Sequence, residues 1–63
     1  MPIIDVKLFE GRSIEQKRKL VKAMTEAVVE SLAVKPDDVR ITLEEMSRDN
    51  HAIAGILVAD RIK

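Results

Sequence analysis

Apolar and polar residues alternate from Pro2 to Phe9, with Ile4, Val6 and Leu8 on one face and Asp5 and Lys7 on the other. A repeat of two predicts a half-buried β-strand, because successive side chains leave opposite sides of the pleat. Glu10-Gly11-Arg12 then reads as a turn, and the period changes. Leu20, Val21, Met24, Ala27, Val28 and Leu32 recur at helical spacing, while Arg18, Lys19, Lys22, Glu26 and Glu30 fall mostly away from them. This predicts one amphipathic helix. Ser13 and Gln16 have the spacing of a capping box, which satisfies the free N–H groups at a helix start. The helix is therefore expected to begin at about Ile14 and to run to about Leu32 or Ala33, covering roughly 27 Å. Pro36 and Asp37-Asp38 stop it. Val39, Ile41 and Leu43 then alternate with Arg40, Thr42 and Glu44, predicting a second half-buried strand.

A strand, a crossover helix of this length and a second strand form a β-α-β unit, in which the strands run parallel with right-handed topology. Ile4, Val6, Leu8, Val39, Ile41 and Leu43 are then expected to face the helical stripe. The final stretch, Ser47 to Lys63, holds a polar turn at Arg48-Asp49-Asn50-His51 and a small-residue apolar piece from Ala52 to Val58. That piece predicts a short strand or hairpin that packs against another subunit. The fold class is thus α/β, of the α+β kind: two parallel strands, one amphipathic helix and a C-terminal hairpin, with residues 1–63 as a single domain. Such a unit has open sheet edges and an uncovered face, so a homo-oligomer is expected.

Composition strengthens that expectation. A chain of 63 residues buries only about 60% of its unfolded surface as a monomer. No cysteine is present to form a disulfide, and the single histidine, His51, builds no structural metal centre. Eleven basic and eleven acidic residues cancel, which removes the long-range field that draws a protein to nucleic acid or an anionic membrane. No apolar run approaches the ~20 residues of a membrane span, and the opening segment lacks the pattern of a signal peptide. A cytoplasmic location is the default expectation.

Against this plain background a few side chains are candidates for chemistry. Removal of Met1 leaves Pro2 as a terminal secondary amine, which is a base when neutral. Apolar walls and nearby guanidinium groups both disfavour its cation. Arg12, in the turn after the first strand, and Arg40, on the polar side of the second, offer paired donors that match a carboxylate. Phe9, the only aromatic residue, lies out of register with Ile4, Val6 and Leu8 and is a candidate pocket wall. His51 is a candidate substrate contact. Glu44-Glu45 and Asp37-Asp38 do not suggest a metal site, since neighbouring strand residues diverge and loop aspartates form turns and caps.

Met-Pro-Ile at the start, Leu8-Phe9-Glu10-Gly11-Arg12-Ser13 with Glu15-Gln16-Lys17, Val39-Arg40, and Glu44-Glu45-Met46 together resemble the 4-oxalocrotonate tautomerase family over nearly the whole chain. The resemblance implies a β-α-β subunit, typically a hexamer, that interconverts enol and keto forms of 2-hydroxymuconate-like dienols without a cofactor. It implies that Pro2 is the general base. Arg12 and Arg40, often from different subunits, would bind and polarise a 2-oxo or 2-hydroxy dienoate or dicarboxylate, and Phe9 would form a wall. One position departs. His51 stands where many members carry Phe or Tyr, so the pKa of Pro2, the rate or the substrate is expected to differ.

Two other readings remain open at this level. A homologous hydratase or dehalogenase of unsaturated acids would use Pro2 as an acid, and a self-assembling protein would keep the fold without catalysis.

Overall fold

Strands β1 (Ile3–Phe9) and β2 (Arg40–Met46) lie side by side and parallel in a computed structural model that describes residues 1–61. Ile4 is opposite Ile41, Val6 opposite Leu43 and Phe9 opposite Met46. The alternation read from the sequence therefore sorts the sheet by face. Ile4, Val6, Leu8, Ile41 and Leu43 are half-buried, whereas Ile3, Asp5, Lys7, Arg40, Thr42 and Glu44 are exposed. The ladder extends one bond past each end, through Arg40 N–H to the Pro2 carbonyl at 3.1 Å and Glu10 N–H to the Met46 carbonyl at 2.9 Å. The second strand thus starts one residue later than expected and continues through Glu45 to Met46. Val39 falls outside it because its N–H is taken by the Pro36 carbonyl in a 3-10 turn over Pro36–Asp38.

Helix α1 (Ile14–Leu32) joins the two strands. Its capping box forms as expected: Gln16 N–H donates to Ser13 Oγ at 3.1 Å and Ser13 N–H donates to Gln16 Oε1 at 2.9 Å. At the other end Ala33 takes a left-handed conformation, φ 56°, and its N–H closes on the Val29 carbonyl. A side chain there costs roughly 1–2 kcal/mol. The half-buried stripe is Leu20, Val21, Met24, Thr25, Val28 and Val29, so the expected stripe shifts: Ala27 and Leu32 are exposed and Val29 takes part. Lys17 reaches from the helix to Glu45 of β2 at 2.8 Å, fastening the start of α1 over the finish of the sheet.

The chain ends in a small antiparallel hairpin and one helical turn. Strands β3 (Ala52–Ile53) and β4 (Ile56–Leu57) are joined by Ala54 and Gly55, both at positive φ, 54° and 80°. Positive φ at both central residues makes this the tight turn whose twist suits a hairpin. Val58 opens the turn α2 (Val58–Arg61) instead of continuing a strand. Its N–H donates to the His51 carbonyl at 2.8 Å, and Val58 is the one buried hydrophobic side chain among the described residues. Positions 62 and 63 of the expected final stretch lie outside the described residues.

A single copy leaves much apolar surface in water. Its accessible area is 5072 Å², against about 4,100 Å² for a compact monomer of this mass. The radius of gyration is 14.9 Å, where about 10.6 Å is usual for this length. Ile3, Ile53, Ile56 and Leu57 are all exposed, on the helix-free sheet face and on the hairpin. A further hollow of about 500 Å³ beside α1 is lined mainly by Val21, Thr25, Val29 and Pro36. No described helix is long and apolar enough to cross a membrane.

Candidate functional site

The candidate residues divide between the two ends of the β1-β2 pair. At the start, the 3.1 Å bond from Arg40 N–H to the Pro2 carbonyl holds the two backbones together. Pro2 is half-buried and Arg40 exposed. While Met1 is attached, the Pro2 nitrogen is a peptide nitrogen without basic character; cleavage of that bond turns it into an amine. At the finish lie Phe9, Arg12 and His51. Six steps of strand separate Ile3 from Phe9, which at ~3.3 Å each is about 20 Å. One copy therefore brings Pro2 and Arg40 together, and Phe9 and His51 together, but not the two groups.

The finish forms a groove of about 570 Å³ lined by Leu8, Phe9, Glu10, Gly11, Arg12 and Arg48. Gly11 adopts φ 116°, a region that disfavours any residue with a Cβ, and this bend carries the chain from β1 to Arg12. The His51 ring meets Phe9 edge-on, with centroids 5.7 Å apart and planes at 75°. The Arg48 guanidinium stands over the Phe9 ring, 4.8 Å from its centre. Arg12 also borders a smaller hollow of about 210 Å³ with Leu8, Gln16, Lys17 and Leu20.

Electrostatically the groove is poised for an anion. Among the described residues neither Arg12 nor Arg48 joins a salt bridge, whereas Arg18 is paired with Glu15 at 2.7 Å and Lys17 with Glu45. Glu10 is the one carboxylate among the lining residues. On the helix-free face, Lys7 is held above its usual pKa by a hydrogen bond to Glu44 and by that group's charge. Among the described residues no group of three His, Asp or Glu side chains gathers to hold a metal ion.

Arg48 is the lining residue that sequence reasoning passed over. An arginine in a polar loop has no periodic signature, and spacing does not separate it from Arg18 or Arg61. The available signal was weaker: Arg48 lies three residues before the chain's only histidine.

The family model for tautomerase enzymes matches residues 2–61 of the chain. A probable tautomerase of Halalkalibacterium halodurans is 48% identical over 61 residues, 97% of this chain and 100% of the relative. A 2-hydroxymuconate tautomerase of Bacillus subtilis is 43% identical, over 95% of this chain and 97% of the relative. Among solved structures, a 4-oxalocrotonate tautomerase isozyme from Methylibium petroleiphilum superposes with a TM-score of 0.91 at 50% identity, covering 95% of this chain and 94% of that one. A heterohexameric 4-oxalocrotonate tautomerase from Chloroflexus aurantiacus gives 0.88 at 30% identity, over 95% and 97%. A match of this extent, on a β-α-β unit with a cationic groove, places the chain in the tautomerase family as an isomerase of the 4-oxalocrotonate tautomerase type.

Proposed function

We propose that this isomerase transfers a proton between the enol and keto forms of a 2-hydroxydienoate, with Pro2 as general base once Met1 is removed. The neutral Pro2 nitrogen takes the proton of the 2-hydroxyl group and returns it to a carbon of the conjugated chain. Arg12 and Arg40 hold the carboxylate and the 2-oxo oxygen, where negative charge develops as the proton leaves. The same guanidinium groups disfavour the Pro2 cation, and enclosure between copies acts in the same direction. Phe9 and His51 wall the site. Proton and electron pairs balance within the substrate and Pro2, so the scheme calls on no cofactor.

The observation that carries this reading is the division of parts along one strand pair: Pro2 beside Arg40 at the start, joined by the 3.1 Å backbone bond, and an anion-ready groove with Arg12 at the finish. About 20 Å of strand lies between them, so the site is completed between copies. The uncovered apolar surface and the hexameric assembly of the Chloroflexus aurantiacus relative favour a homohexamer. Residues 1–63 form one tautomerase domain in this reading, acting on a small molecule in the cytoplasm.

Intact mass first establishes that Pro2 is the terminal residue. Pro2→Ala then lowers kcat/KM toward 2-hydroxymuconate by about 10²-fold or more, with the assembly unchanged by sedimentation. In the parent, kcat/KM rises with pH through the pKa of Pro2, because a base works only when neutral. A variant that keeps most of the activity, or a profile that falls over that range, overturns the assignment.

A further inference from the structure

We propose that Arg48, held against the face of Phe9, is a specificity-determining residue that anchors the second anionic group of a dicarboxylate substrate. This rests on the substrate class proposed above and adds a residue to which no role has been given so far. A guanidinium 4.8 Å from the ring centre is attracted by the negative face of the ring. The contact holds Arg48 at the groove, and among the described residues its guanidinium makes no hydrogen bond and no salt bridge, so its paired N–H donors are open to a ligand. His51 meets the same ring edge-on, so Phe9 carries contacts to both side chains.

Arg12 and Arg48 line one groove of about 570 Å³, a size usual for small-molecule sites. Neither has a salt-bridge partner among the described residues, and Glu10 alone opposes them in the lining. One carboxylate occupies one of these cationic forks and leaves the other to water. A substrate with a carboxylate at each end of its chain satisfies both, and planar paired donors suit each end.

The test is equilibrium binding of two unreactive probes of equal chain length, 2-oxoadipate with two carboxylates and 2-oxohexanoate with one. Calorimetry is run on the parent assembly and on Arg48→Gln and Arg48→Lys, each checked for unchanged assembly. The parent is expected to favour the diacid by about 10-fold or more, Arg48→Gln to bring that ratio close to one, and Arg48→Lys, which keeps the charge but loses the fork, to give an intermediate value. No preference in the parent, undetectable binding of both probes, or an unchanged ratio in Arg48→Gln overturns the proposal. Repeating the titration on Pro2→Ala separates the two readings: an active Pro2→Ala enzyme refutes the base while the diacid ratio still reports on Arg48 alone.

Discussion

Where the strand pair starts, Pro2 and Arg40 share a backbone hydrogen bond. Where it finishes, Phe9 meets both Arg48 and His51 beside Arg12 and a groove of about 570 Å³. The start carries the proposed base and the finish carries most of the anion-binding apparatus. A strand of seven residues is too long for them to meet in one copy. Assembly is therefore a condition of the chemistry in this account, which assigns the contacts between copies to the exposed apolar residues of the sheet face and hairpin.

Breaking the assembly is expected to have the largest effect. Ile56 is 46% exposed on the hairpin, and Ile56→Asp puts a carboxylate on a surface that the account covers with another copy. Burying that charge unpaired costs several kcal/mol, so the variant is expected to dissociate on sedimentation and to lose activity by about 10²-fold or more. An Ile56→Asp protein that stays fully assembled contradicts the role given to the hairpin. Changes to the chemistry alone come next. Pro2→Ala removes the reaction centre at the start, and Arg48→Gln removes discrimination at the finish, both with assembly intact. The smallest effect lies away from both ends. Ser13→Ala deletes the hydroxyl that accepts from Gln16 N–H at 3.1 Å and is expected to cost about 1 kcal/mol of stability. Thermal unfolding checks it, and kcat/KM is expected to stay at the parent value.

The β-α-β core was legible because each of its features has a local cause. The alternation of Ile4, Val6 and Leu8 fixed a face, Ser13 and Gln16 fixed a helix start, and the crossover length fixed a parallel strand direction; the register that pairs Ile4 with Ile41 came only with the structure. The helical stripe was read less well. Ala27 and Leu32 fit the period, yet the β1-β2 sheet has only two strands and covers a narrow band, and Val29 is half-buried while Leu32 is exposed. The tail was harder. Ala52 to Val58 is apolar throughout, and an apolar run does not say where a strand stops; the His51 carbonyl captures Val58 N–H and starts a helical turn there.

Site residues followed the same division. Arg12 and Arg40 were proposed from a family pattern, and Phe9 from its rarity. Arg48 depends on a contact with Phe9, 39 positions away in the sequence, which no local pattern encodes.

If Pro2 and Arg12 of one working site come from different copies, mixing two defective subunits restores sites that neither variant forms alone. Pro2→Ala and Arg12→Ala proteins are each nearly inactive in this account. Unfolded together and reassembled at equal amounts, they are expected to regain about a quarter of parent activity, since half of the copies supply each intact residue at random in a symmetric assembly. If both residues served a site from the same copy, no mixed site would hold the pair. Activity that stays at the level of the separate variants, in a mixture shown by mass to contain both kinds of subunit, contradicts the account.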